Sequence, residues 1–131
     1  MRPDDFGAWL TRYGDAWEAR DAEAIAALFA PGALFEAQPF AMALRDKPAI
    51  RDHWRARFAG QRDPSFSAEV LGVGVTYGVA HWRATYRPTA EPPPTAEPSL
   101  AIDGVLMAAF DPVGRCTSLR QWWHEGDAGR P

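Results

Sequence analysis

Apolar residues recur every three or four positions at Phe6, Trp9, Leu10, Tyr13 and Trp17, which predicts one buried stripe of a helix with Asp4 as its cap. Asp21 reads as the cap of a second helix whose stripe is Ala24, Ile25, Leu28 and Phe29, with Pro31-Gly32 as its stop. Ala33 to Ala37 suits a short strand ended by Pro39-Phe40. A third helix starts at Asp46-Lys47 with Pro48 in its first turn, carries Ile50, Trp54 and Phe58 on its stripe with His53 alongside, and ends at Gly60.

The period then changes. Ser65 to Val75 alternates loosely, and Gly72 and Gly74 within it predict bending or bulges. Tyr77–Tyr86, Leu100–Phe110 and Arg115–His124 read as three long strands of an antiparallel meander, with Asp111-Pro112-Val113-Gly114 as a turn. Helices first and strands afterwards is the α+β arrangement. Between two strands lies Pro88–Pro98, in which Pro-Thr-Ala-Glu-Pro occurs twice. Proline donates no ladder bond, so this is read as an exposed loop: a docking segment, a flap over a cavity, or a plain semi-rigid hairpin insertion.

Composition narrows the function classes. The 131 residues are 47% hydrophobic and 24% charged, as in an ordinary folded domain, and we read residues 1–131 as one. The formal charge of −3 gives no basic excess to grip a phosphate backbone, so nucleic acid is not an expected partner. The lone Cys116 excludes an internal disulfide and fits a reducing compartment. No apolar run approaches the ~18 residues of a membrane span. The acidic pair Asp4-Asp5 stands where a signal peptide needs an apolar stretch, so a cytoplasmic location is expected.

Several local patterns carry a family resemblance. They are Arg12-Tyr13, Asp21–Ile25, Leu28–Ala33, Pro39-Phe40, Ala49-Ile50, His53-Trp54, Phe110–Cys116 and Trp122-Trp123-His124. In this order and spacing, over roughly residues 5–125, the chain resembles the nuclear transport factor 2-like superfamily, and within it the SnoaL-like group. The group includes polyketide cyclases, and ketosteroid isomerase is a more distant relative. The resemblance implies a cone-shaped α+β fold with three N-terminal helices packed on a curved, mostly antiparallel sheet. Fold alone does not give function, because this superfamily hosts isomerases, dehydratases, cyclases, epoxide hydrolases and binders without catalysis.

The resemblance also sets residues against a known chemistry. Steroid isomerisation needs a carboxylate base, a tyrosine and a protonated carboxylic acid. Tyr13 stands where the tyrosine would stand. Ala37 or Gln38 occupies the place of the base and Leu106 that of the second acid, so no appreciable isomerisation of 3-oxo-Δ5-steroids is expected. Trp54 and Phe29 replace further tyrosines. By the same matching His53 falls on the cavity side of the third helix. A histidine titrates near ~6.5 and so exchanges protons at working pH. Tyr13 and His53 are therefore the nominated catalytic pair, Tyr13 polarising a carbonyl; the plainer reading is a packing tyrosine and a core-edge histidine with one hydrogen bond.

Strand parity places the rest. Ala80, Trp82, Ala84 and Tyr86 form an apolar set that should face the helices, together with Leu106 and Ala108, and with Leu119, Gln121 and Trp123. A pocket for a small apolar or aromatic molecule is expected from Trp17, Phe40, Trp54, Phe58, Trp82 and Trp123, with Gln38, Leu106 and Gln121 also lining it. The opposite set holds His81, Arg83, Asp103, Val105, Met107, Arg120, Trp122 and His124, a mixture that suits a homodimer interface. With reversed parity His81, Asp103 and His124 would converge inside as a catalytic cluster; some dehydratases of the superfamily use a histidine on the strand of His81. The three histidines lack metal-ligand spacing, Gly72-Val73-Gly74 is no phosphate loop, Glu36 should alternate away from the cavity, and Cys116 should pack as an apolar residue. No metal or cofactor is implied. The readings left open are a cofactor-free isomerase, cyclase or dehydratase acting on a cyclic or polyketide-like substrate, a ligand binder without catalysis, and an interaction module.

Overall fold

A computed structural model describes residues 1–89 and 99–128. Helix α1 (Pro3–Glu18) buries Phe6, Trp9, Leu10, Tyr13 and Trp17, the stripe its spacing demands. Asp4 is not its cap. Arg2 holds that position with extended backbone and no side-chain bond, and Asp4 and Asp5 lie in the first turn near the positive end of the helix dipole. Asp21 does cap α2 (Ala22–Ala26), its carboxylate accepting from the Ala24 amide at 3.0 Å. This helix ends sooner than its apolar spacing suggests. Phe29 and Ala30 already belong to strand β1 (Phe29–Glu36), so Pro31-Gly32 sits inside a strand rather than stopping a helix. A register shift between Phe29 and Leu34 absorbs the proline, and Gly32 supplies a φ of +74°.

A two-residue strand β2 (Leu44–Arg45) pairs with β1, and α3 (Lys47–Ala59) follows. The Asp46 carboxylate accepts from the Lys47 and Gly32 amides, each at 2.8 Å, and so ties the irregular part of β1 to the start of α3. These bonds hold its carboxyl below the usual aspartate range and sustain a backbone φ of 76° that is otherwise unfavourable for this residue.

The remaining strands are β3 (Gln61–Val73), β4 (Tyr77–Pro88), β5 (Leu100–Phe110) and β6 (Cys116–Asp127), four long strands rather than three. The six-stranded sheet runs β2-β1-β6-β5-β4-β3. Only β1 and β6 are parallel, so the sheet is mixed and mostly antiparallel. The expected block of three N-terminal helices is interrupted, because β1 and β2 come between α2 and α3. A bulge between Val70 and Gly72 bends β3 where its glycines suggest. Of the proline-rich segment, Pro88 closes β4 and the Thr89 hydroxyl bonds the Ala59 carbonyl at 2.9 Å; 90–98 lies outside the described residues. Among the described residues no helix is long and apolar enough to cross a membrane.

Parity along the sheet follows the apolar alternation. Ala80, Trp82, Ala84, Leu106, Ala108 and Leu119 are buried against the helices, whereas Arg83, Asp103, Arg120 and His124 face outward and exposed. The arrangement with His81, Asp103 and His124 converging inside is thereby excluded: it would turn the fully buried Trp82 out to water. Rings fill the space between the layers. Trp17 packs on Phe66 at 5.3 Å and on Trp82 at 5.5 Å, and Phe6 meets Phe110 edge-on at 5.8 Å. Each such pair adds ~0.5–1.5 kcal/mol beyond the area it buries.

Two glycines should respond oppositely to a methyl group. A Cβ at Gly104, inward on β5 between Trp82 and Trp123, would press into the Trp122 carbonyl oxygen and Trp123, whereas a Cβ at Gly7 of α1 meets nothing within 4 Å. Gly104→Ala is expected to lower stability by ~1–3 kcal/mol. Gly7→Ala should raise it by ~0.5–1 kcal/mol. Urea denaturation midpoints check both.

Candidate active site

A cavity of about 80 Å³ opens where the end of β1, the inner face of α3 and the inward residues of β4 and β6 meet. Its wall includes the rings of Trp17, Trp54, Trp82 and Trp123, as the apolar pattern predicts. The polar part of the wall is Gln38, His53, Arg57 and Gln121, with Ala37 at the strand end. Among the described residues no carboxylate lines it.

The floor is built by a chain of hydrogen bonds. The Tyr13 hydroxyl donates to Gln121 Oε1 at 3.1 Å, and Gln121 Nε2 donates to the Ala37 carbonyl at 3.2 Å. That carbonyl accepts a second bond, from Trp123 Nε1 at 2.6 Å. Since the Ala37 carbonyl can only accept, the amide nitrogen of Gln121 must face it, which turns the amide oxygen to Tyr13. Gln61 plays a similar part behind the wall, its Oε1 accepting from Trp17 Nε1 at 3.0 Å. Burial holds the Tyr13 phenol well above its ordinary pKa of 10.0, with the Cys116 thiol adding to the shift, so it stays protonated.

His53 stands on α3 with its ring 5.3 Å from Phe35 and 5.7 Å from Trp54. It is half-buried and has no hydrogen-bond partner among the described residues. Burial first, then the Arg57 guanidinium one turn further along α3, lowers its pKa from 6.5 and favours the neutral ring. A neutral imidazole can accept a proton. Arg57 itself lies 5.5 Å over the Trp123 ring.

The nominated residues divide. Trp17, Gln38, His53, Trp54, Trp82, Gln121 and Trp123 lie on the cavity wall. Tyr13 does not: it is fully buried behind Gln121, its hydroxyl already engaged, and no hydrogen bond joins it to His53. Leu106 and Phe58 are core residues off the wall, Phe58 packing on Trp54 at 5.2 Å. Phe40 is 108% exposed in the loop after β1, where no alternating pattern fixes the direction of a side chain. Arg57 was missed, although an arginine four residues after a cavity-side histidine shares its helix face. The double acceptor at Ala37 is a backbone atom and leaves no trace in sequence. Glu36 points away and pairs with Arg120 at 3.0 Å. Cys116 is buried, and burial pushes its thiol up to about 12, so it is no nucleophile.

His81 lies on the other face of the sheet, its Nε2 2.8 Å from Asp103 and its Nδ1 3.8 Å from Glu69. A larger groove of about 610 Å³ runs along the start of α1 beside the β5–β6 turn, past Trp9, Arg12, Phe110 and Asp111. It holds none of the nominated site residues. Among the described residues no cluster of metal-ligating side chains forms.

Layered helices over a mixed sheet, with a cavity beside the third helix, define a class of small α+β proteins. Residues 10–119 match the SnoaL-like domain, and the chain belongs to that family. It is 32% identical over 120 residues to the Steroid Delta-isomerase of Nocardioides simplex, a match covering 92% of this chain and 90% of that protein. In structure it is similar to the epoxide hydrolase/cyclase-like enzyme SalBIII of pyran ring formation in the polyether salinomycin. The TM-score is 0.78 at 15% identity, over 92% of this chain and 94% of that one. A protein described as a SnoaL-like polyketide cyclase from Shewanella denitrificans OS-217 superposes with a TM-score of 0.75 at 18% identity, over 94% of this chain and 92% of that one. These two likenesses show the fold, which the chain shares with isomerase- and cyclase-type proteins.

The lowered pKa of His53 has a consequence for stability. Between 6.5 and the lower folded value the unfolded chain binds more protons than the folded one, so stability falls as pH drops through that window. His53→Asn should remove this part of the slope. Arg57→Gln should move the His53 titration back toward 6.5, read from the imidazole proton shifts.

Proposed function

We propose that the protein binds a small ring-containing molecule at this cavity and catalyses proton transfer on it, in the manner of an isomerase, cyclase or dehydratase, with His53 as the acid/base. The observation that carries the reading is His53 itself, a neutral imidazole on a tryptophan-rich wall with no partner for its ring nitrogens among the described residues. Gln121, fixed by Tyr13 and Ala37, retains one amide hydrogen beside the cavity, so Tyr13 acts as a positioning residue. The cavity holds about 80 Å³, against the ~300–1,000 Å³ of sites that enclose a drug-sized ligand. Only the reacting edge of a substrate enters it in this conformation.

Steroid isomerisation of the carboxylate type is not part of the proposal. Gln38 and Ala37 supply no base, and Leu106 is a core residue rather than an acid at the wall. No turnover of a 3-oxo-Δ5-steroid above background is expected, read by the absorbance of the conjugated product. Proton transfer as such is tested without the natural substrate, by following deuterium exchange next to the carbonyl of 2-tetralone in D₂O by NMR. Catalysed exchange should fall ~10²–10⁴-fold in His53→Ala and persist in His81→Ala, whose imidazole lies on the opposite face of the sheet. Equal exchange by both variants and the parent would remove His53 from the mechanism.

The bare sheet face supports the second part of the reading, a homodimer. Val105, Met107 and Trp122 form its apolar centre, Trp122 remaining 39% exposed with Arg120 5.0 Å over its ring. His81–Asp103 and Arg120–Glu36 pairs surround it. A two-fold pairing offers the same patch from each copy and removes it from water. Light scattering at micromolar concentration should give twice the chain mass, and Trp122→Arg should give monomers with the cavity intact. A monomeric parent protein would refute the pairing.

A further inference from the structure

The three arginines of α3 are treated differently by their surroundings. Arg51 lies 3.2 Å from Asp52 and 3.8 Å from Glu23, and Arg55 lies 2.7 Å from Glu23. Both are neutralised on the outer side of the helix. Arg57 is half-buried on the cavity side and has no carboxylate partner among the described residues. What it has is the face of Trp123, at 5.5 Å, and that ring is held in turn by the Ala37 carbonyl. A half-buried cation steadied by a π-face but not neutralised by a neighbour is a group set for an anion that arrives from outside.

The rest of the wall is biased the same way. The Ala37 carbonyl already accepts two bonds and Gln121 Oε1 accepts from Tyr13, and the acceptors left on the wall, the Gln38 amide oxygen and one nitrogen of the neutral His53 ring, carry no charge. Against these stand the Gln121 amide hydrogens and the Arg57 guanidinium, whose planar N–H pairs match a carboxylate in bidentate fashion. His53, on the same helix face one turn before Arg57, is the only other titratable group lining the cavity among the described residues, and it carries no negative charge in either form.

We infer that the cavity selects an anionic ligand, a carboxylate borne on a flat ring, with Arg57 as the residue that binds the anion and Trp123 as the support that aims it. This rests on the cavity being the ligand site, as proposed above, and adds the charge of the ligand and the residue that reads it. The same arrangement would steady an enolate formed when His53 removes a proton next to a carbonyl, because the cation is already in place before the charge develops.

Benzoate and benzamide separate these claims, being alike in size and shape and different in charge at pH 7.5. Binding is read from the indole N–H signals of Trp54, Trp82 and Trp123 in heteronuclear NMR titrations of the whole protein. Benzoate is expected to bind at least ~10-fold more tightly than benzamide, about one power of ten in the constant for ~1.4 kcal/mol. Arg57→Gln should abolish the preference by weakening benzoate alone, and Arg57→Lys should retain part of it because the charge remains while the planar fork is lost. The unchanged dispersion of the remaining amide signals reports that each variant is folded. Equal affinities for the two probes in the parent protein would overturn the inference and leave the cavity as a binding site for neutral molecules. A preference that survives in Arg57→Gln would overturn the assignment to Arg57. Failure of both probes to shift the three indoles would overturn the inference together with the reading of the cavity as a ligand site.

Discussion

The phenol of Tyr13 is buried where no water reaches it, and the need to satisfy its hydroxyl organises the interior around it. A buried hydroxyl without a partner costs ~1–3 kcal/mol. Gln121 meets that need from β6, and the second half of its amide then needs an acceptor, which the end of β1 provides at Ala37. Trp123, two residues on and inward by the same parity, takes the other lone pair of that carbonyl. One phenol on α1 therefore fixes the inner face of β6, the point where β1 leaves the sheet, and the ring over which Arg57 lies. The parallel pairing of β1 with β6 brings these groups together, with Phe35 opposite Leu119 and Glu36 opposite Arg120.

That chain also decides which chemistry the site can perform. A tyrosine whose hydroxyl donates to a neighbouring amide has no hydrogen left for a substrate carbonyl. In the proposed reaction the polarising task passes to the free amide hydrogen of Gln121 and to Arg57. Proton transfer in that proposed reaction falls to His53, because Arg57 has donors and no acceptor atom. The site is thus read through its hydrogen-bond accounting rather than through the residue types alone.

Much of the scaffold was legible because its periods are strong. Asp46, Pro48 and Gly60 bracket α3 in sequence as they do in space, and the inward placement of Trp82 follows from alternation because exposing an indole is costly. Other features depend on contacts far apart in sequence. Phe29 fits a helical stripe as well as a strand, and only pairing with Cys116 on β6, 87 residues away, settles it as strand. Phe40 follows Pro39 in a turn with φ 67°, so its direction obeys no period. The partner of Tyr13 lies 108 residues along the chain, and neither residue alone signals the other. The site was half legible for the same reason: rings and parity mark the wall, while the bonds that fix its polar groups do not show in the pattern.

Charge gives the last step. The chain as a whole carries −3, so a cavity lined, among the described residues, by a histidine, an arginine and no carboxylate is not a reflection of overall composition. Acidic residues are abundant nearby but directed elsewhere. Glu36, next to the cavity-lining Ala37, turns outward to Arg120, and Glu23 and Asp52 hold the arginines on the far side of α3. Asp103 reaches a histidine, but on the face of the sheet that the core does not see. Each of these carboxylates is thus kept outside the cavity by strand parity or helix face, and neither can be reversed at one residue without turning an apolar neighbour out to water.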